Sequence, residues 1–331
     1  MASRTWHATL RAFVQCTVAS VVFTTFALAE GRNPASLLLY PEFDHSAGRA
    51  TFVTVTNTNP DPVVGRVLVE LVLIDATSSA TACLEQNQTE LLTPNDTLTI
   101  RTNDLAPAFQ RGYLYIFAKD QQGRAISYNW LIGDLVLADG FASLDYSLRP
   151  RGFASSRTML QPTDVDLDGL RDLDGVEYEQ APDKIVVPRF LAPNALVDSS
   201  LVFVNLTGGR EFTAILDFLL YNDNEEPFSA QHAFRCWRKS RLLDVNMAFS
   251  QAFLAATGDS ANEILGQSSQ ESGWMEIDGR MAYSVNTSID DPAILAFLVE
   301  RTAAGAGSEE SFEVGKQANG DLLPLGPAGD S

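Results

Sequence analysis

Apolar residues in this chain cluster in short, partly alternating runs separated by Gly, Pro, Asn and Asp. Leu38-Leu39-Tyr40-Pro41-Glu42-Phe43, Phe52-Val53-Thr54-Val55, Val67 to Asp75 and Gly112-Tyr113-Leu114-Tyr115-Ile116 are such runs in the first half. They are rich in Val, Ile, Thr, Phe and Tyr, which suit the half-buried surface of a pleated sheet, so they predict β-strands. No regular alternation of strands with long helical patterns is visible, which argues against a parallel α/β sheet. One stretch departs from this pattern. From Leu242 to Ala256, apolar residues at Leu243, Met247, Ala248, Phe253 and Leu254 predict a minor helical insert. The corresponding Leu91 to Ile100 carries Pro94, which disfavours a helix there.

The pattern is read twice. Val186-Val187-Pro188-Arg189-Phe190 matches the opening run, and Leu201-Val202-Phe203-Val204 matches Phe52 to Val55. Thr213 to Asp223 matches Val67 to Asp75, and Gly273-Trp274-Met275-Glu276-Ile277 matches Gly112 to Ile116. The offset grows from 188 − 41 = 147 at the prolines to 273 − 112 = 161 at the glycines, as small loop insertions would produce. The implied fold is mainly all-β: two tandem Ig-like β-sandwich domains at 36–149 and 185–302, arising from an internal duplication. A polar connector, 150–184, lies between them, and 303–331 reads as a disordered tail rich in Gly, Ala, Ser and Glu.

The N-terminus and the charge place this chain in an exported setting. Arg4 and Arg11 precede the apolar run Ala12 to Phe26, and Ala27-Leu28-Ala29 offers a small-residue cleavage pattern, so 1–29 reads as a signal peptide. Cleavage would leave 331 − 29 = 302 residues, with a net charge of −19 − 2 = −21. Such a surface repels nucleic acid and anionic lipid and attracts cations. No later run is long and apolar enough to span a bilayer, which predicts no stable membrane insertion and a secreted, periplasmic or cell-surface location. Removal of Cys16 with the signal leaves Cys83 and Cys236, at similar places in the two repeats. Two buried thiols or one disulfide are both compatible with an exported chain.

The connector carries the most specific chemistry. In Asp164-Val165-Asp166-Leu167-Asp168-Gly169-Leu170-Arg171-Asp172, carboxylates stand at alternate positions before a glycine. Only every second side chain of an extended loop can converge on one ion, and oxygen donors suit a hard cation. Asp164, Asp166 and Asp168 would be ligands, Leu170 would offer its backbone carbonyl, and Asp172 would complete the core. A closing acid is absent at Gly175, so Asp174 or Glu177 would have to close the shell. These nine residues resemble the D-x-D-x-D-G-x-x-D loops of thrombospondin type 3 repeats and dockerin modules. The resemblance implies structural Ca²⁺ at Asp164, Asp166, Asp168 and Asp172, stiffening the connector.

Catalytic patterns are sparse. The mature chain keeps His45 and His232, one in each half, and has neither a zinc-protease helix motif nor a G-x-S-x-G elbow. Gly258-Asp259-Ser260 resembles the start of a GDS-type esterase block, but no histidine follows His232 to serve as base. Asn222-Asp223-Asn224-Glu225-Glu226 reads as a turn, with a second cation site as the minor reading. Trp130, Trp237 and Trp274 with Tyr113 and Tyr128 would serve either as core or as a sugar-stacking platform. The expectation is an exported, non-enzymatic binding or structural protein of a surface or envelope, with an unidentified protein or glycan partner. A carbohydrate-binding protein and a polysaccharide hydrolase using a carboxylate pair are the alternatives.

Overall fold

The computed structural model describes residues 33–77, 83–142, 144–182, 184–207, 212–255, 270–302, 305–309, 311–315 and 320–322. The predicted signal peptide, 1–29, and the Gly258-Asp259-Ser260 segment lie outside the described residues. The described residues are mostly β, 57% strand against 6% helix. In the first half, β1 (Leu37–Asp44), β2 (Arg49–Asn57), β3 (Val67–Asp75), β4 (Leu84–Leu92) and β5 (Thr97–Arg101) precede a one-turn helix, α1 (Thr102–Leu105). Then come β6 (Arg111–Lys119), β7 (Leu131–Asp139), β8 (Leu144–Leu148) and β9 (Arg151–Phe153). The connector contributes the short β10 (Arg171–Asp172). The second half runs through β11 (Lys184–Leu191), β12 (Val197–Asn205), β13 (Thr213–Asn222), β14 (Pro227–Arg235) and β15 (Trp237–Arg241). After α2 (Leu242–Val245) and α3 (Gln251–Leu254), it continues as β16 (Ser272–Tyr283), β17 (Ser288–Asp290), β18 (Ile294–Thr302), β19 (Gly305–Glu309), β20 (Phe312–Val314) and β21 (Asp321–Leu322).

The two halves share one strand order. The sheets β4-β3-β6-β1-β9 and β5-β2-β7-β8 are matched by β14-β13-β16-β11-β20 and β15-β12-β18-β19. The correspondence extends to local devices. The ladder slips between Tyr40 and Phe43 in β1 and between Val187 and Phe190 in β11, so each proline sits where the partner strand needs no donor. At the strand that follows, a Cβ on Gly112 would lie 1.9 Å from the Ile74 carbonyl oxygen, and one on Gly273 would lie 2.2 Å from that of Tyr221. Neither site can hold a side chain without moving the neighbouring strand.

The expectation of two tandem Ig-like β-sandwiches is overturned. The four small sheets are arranged as a four-bladed β-propeller. Strand propensity and alternation identify strands and their buried faces, but do not choose which sheet covers which. Here the sheets of the two halves meet one another: β8 lies against β19, β1 against β12 and β6 against β15. Buried side chains of both halves form one continuous core. The disulfide Cys83–Cys236 crosses the same seam, joining residues 153 apart in sequence. Trp237 donates its indole N–H to the Pro41 carbonyl at 2.7 Å. Beside it, Lys239 Nζ meets the almost fully buried Glu42 at 2.8 and 3.0 Å and the Tyr146 hydroxyl at 2.8 Å. Tyr146 donates to Glu42 at 2.7 Å, so buried Glu42 and Tyr146 and half-buried Lys239, from the two halves, satisfy one another.

Two further expectations change. Residues beyond 303 include β19, β20 and β21, so the tail is not wholly disordered. Ser308 donates to the Ser147 carbonyl, and Arg151 pairs with Glu313 at 2.6 Å, so these tail strands close the seam. The predicted helical insert is broken into α2, a 3-10 turn at Met247–Phe249 and α3. Asn246 accepts from the Ala248 N–H and Ser250 from the Phe253 N–H, and these caps restart the chain instead of letting one helix run on.

Candidate metal centre

The acidic loop is held at both ends. On entry, the Thr163 N–H donates to the Ala125 carbonyl at 3.0 Å, and its hydroxyl lies 3.0 Å from that of the fully buried Tyr178. On exit, β10 pairs with β21, and the Leu173 N–H donates to the Gly320 carbonyl at 2.7 Å. Arg171 is buried beneath the loop with its guanidinium 4.9 Å from the Phe117 ring centre. Leu173, Tyr178 and Ala181 bury their side chains in the core, so the connector is a docked layer rather than a free linker.

Between these anchors the backbone turns sharply. Leu167 and Gly169 have φ of +64° and +82°. Glycine adopts that region freely, whereas Leu167 does so at a cost, with its side chain exposed. Asp168 accepts from the Leu170 N–H at 2.7 Å, folding its carboxylate back over the loop. Asp164, Asp166 and Asp168 thereby each offer an oxygen within 4.8 Å of the others. Asp164 Oδ1 is shielded from solvent and has no hydrogen-bond partner among the described residues. An orphaned carboxylate oxygen beside two further carboxylates is a poor arrangement in isolation and a suitable one for a hard cation. The donor set therefore fits calcium.

The flanking acids take other parts. Asp174 accepts from the Val176 N–H at 2.7 Å and the Glu177 N–H at 2.9 Å, closing a turn of its own. Leu170 directs its carbonyl to the Arg171 guanidinium. Asp172 keeps its place in β10, and its N–H donates to Glu177 Oε2 at 3.3 Å. Glu177 is 3% exposed, and its other oxygen accepts from the Val165 N–H. Burial, together with the charges of Asp172 and Asp164, raises its carboxyl pKa to about 7 against the pull of those two N–H donors. It braces the two limbs of the loop from behind. Sequence spacing suggested Glu177 as a closing ligand; its bonding role became visible only when the loop doubled back.

The remaining candidates are dispersed. His232 packs against Phe203, ring centres 5.6 Å apart, and burial lowers its pKa; His45 packs edge-on against Phe43 at 5.4 Å. Tyr113, Tyr128 and Trp237 are buried in the core, which removes them from any sugar platform. Trp274 stacks on Tyr221 across adjacent strands, with centroids 4.4 Å apart and planes 7° from parallel. On the same sheet face, Lys184, Asp217, Gln231, Glu276 and Asp278 line an open groove of about 610 Å³. No helix among the described residues is long and apolar enough to cross a membrane.

Comparison with models of protein families, with curated proteins and with solved structures finds no match for this chain. Its function therefore has to be argued from the site.

A second acidic locus, read from the sequence as a turn with a cation site as the minor reading, lies at 222–226. Asn222 accepts from the N–H groups of Asn224 and Glu226 at 3.1 and 2.9 Å, which makes 222–226 a tight hairpin turn. Both carboxylate oxygens of Asp223 are buried without a hydrogen-bond partner among the described residues. Glu271, 3% exposed, also leaves Oε2 unpartnered, and burial followed by the Asp223 charge raises its pKa.

Proposed function

We propose that this chain is an exported, non-enzymatic binding or structural protein of a cell surface or envelope, in which calcium braces the connector against the propeller-like body. The observation that carries the reading is the three-aspartate cluster, closed to 4.8 Å, with Asp164 Oδ1 buried and unpartnered. A cation there ties Asp164, Asp166 and Asp168 into one rigid unit. Rigidity passes to the C-terminal strand through the β10–β21 pair. The seam supports the same reading, because the disulfide and the buried Glu42–Lys239 pair hold the two halves in one fixed relation. A disulfide persists where conditions are oxidising, which agrees with export.

The test joins location to mechanics. The full chain, expressed with its leader and recovered from outside the cytoplasm, should begin at Glu30 on N-terminal sequencing. Trypsin should cut the connector at Arg157 or Arg171 faster in chelator than in millimolar calcium. Retention of Met1 in a cytoplasmic product, or calcium-independent cleavage, would overturn the reading.

A glycan partner is the second reading, favoured by the Tyr221–Trp274 stack that continues into the polar groove. Aromatic rings offer a face to sugar C–H groups, while carboxylates and amides bind hydroxyls. Glycan-array binding lost in Trp274→Ala would select it.

A further inference from the structure

We infer that Asp223 and Glu271 form a second hard-cation site, independent of the connector loop, where β13 ends and β16 begins. Asp223 is the first residue beyond β13, and Glu271 the last before β16. The ladder pairs Asn222 with Gly273, which brings the two acids to the same end of the sheet. Three carboxylate oxygens there are solvent-inaccessible and lack any hydrogen-bond partner among the described residues. Buried carboxylates without donors are costly, and a divalent cation removes that cost.

The neighbouring amides do not relieve it. The Gln251 side chain donates to the Ala192 carbonyl, that of Gln270 to the carbonyls of Ala192 and Glu271, and that of Asn222 to Glu226 and the Leu254 carbonyl. These donors are taken up by backbone carbonyls and by Glu226, not by the side chains of Asp223 or Glu271. Nor does the fold require acids at these two positions. The Asp75–Gly112 pair of the first half is the counterpart of Asn222–Gly273, so Ala76 and Gln110 occupy the places of Asp223 and Glu271. The Ala192 and His45 N–H groups donate to the Glu271 and Gln110 carbonyls respectively, which confirms the alignment. The first half builds this corner with Asp75, which accepts from the Thr77 N–H, and with uncharged Ala76 and Gln110; the second half has Asn222 in the place of Asp75 and carboxylates at the other two positions.

Calcium alone is the probe, titrated calorimetrically into the folded full chain. Asp223→Asn with Glu271→Gln should bind one calcium fewer than the unaltered chain and retain the loop site. Asp166→Asn with Asp168→Asn should also lose one and retain the Asp223–Glu271 site. Terbium provides a second readout, since Trp274 and Tyr221 stand beside this corner; Trp274→Phe should reduce sensitised emission in the loop variant. Unchanged stoichiometry in Asp223→Asn/Glu271→Gln, or no binding in the loop variant, would overturn the inference. Loss of all binding in Asp223→Asn/Glu271→Gln, with none lost in the loop variant, would instead refute the connector site and leave this one standing.

Discussion

Replacing Asp166 by Asn should shift stability in opposite directions with and without calcium. The carboxylate oxygens of Asp164, Asp166 and Asp168 lie within 4.8 Å of one another. At that separation each pair repels by about 0.9 kcal/mol in a water-like dielectric, and salt near 0.15 M screens this to about half. Asp166 takes part in two of the three pairs, so its neutralisation in chelator should stabilise by about 1 kcal/mol. For a chain of this length that corresponds to a rise of roughly 2 °C in Tm. Calcium reverses the order. With Kd about 10⁻⁴ M, as for weak extracellular sites, 10 mM calcium stabilises the unaltered loop by about 2.7 kcal/mol. The variant forgoes that gain. Scanning calorimetry of both proteins in chelator and in calcium reads the crossing directly. Any contribution from Asp223 and Glu271 is common to both proteins and cancels. Equal melting temperatures in both buffers would refute the reasoning.

Other consequences concern the seam and the acid limb. Cys83→Ala with Cys236→Ala opens a link spanning 153 positions and should cost about 4–5 kcal/mol in the chain-entropy account, measured by denaturant unfolding. Lys239→Met strands buried Glu42 and should cost about 3–5 kcal/mol; adding Glu42→Met should restore most of it, and equal losses in the single and double variants would contradict the pairing. Burial alone would raise the Asp44 and Asp139 pKa values, but hydrogen bonds from Ser46 and Arg49 to Asp44, and from Arg49 and the turn N–H groups to Asp139, hold both below 3.8. Both carboxyls therefore stabilise the fold above pH 3.8 and lose that contribution as pH falls through their folded values. Acid titration should show stability declining below that point, and Arg49→Leu should flatten the decline.

The sequence made the strands and their duplication legible because local chemistry specifies them. Pro41 and Pro188 mark matching ladder slips, and Gly112 and Gly273 mark matching close approaches to a neighbouring carbonyl. Sheet packing was not legible. Whether β8 faces a strand of its own half or β19 depends on contacts between residues about 160 positions apart, which no local pattern encodes. The same holds for Glu42, a charged residue whose burial makes sense only against half-buried Lys239. In the loop, alternation identified Asp164, Asp166 and Asp168, whereas Asp174 and Glu177 were drawn into backbone bonds that the spacing could not show. Asp223 reads as turn material because Asn222 does build the turn; its orphaned carboxylate emerges only from the surrounding fold.

Anomalous diffraction from crystals grown in millimolar calcium tests the central claim most directly. The account predicts a calcium peak at about 2.3–2.6 Å from oxygens of Asp164, Asp166 and Asp168. A well-ordered loop with water alone at that position would contradict it.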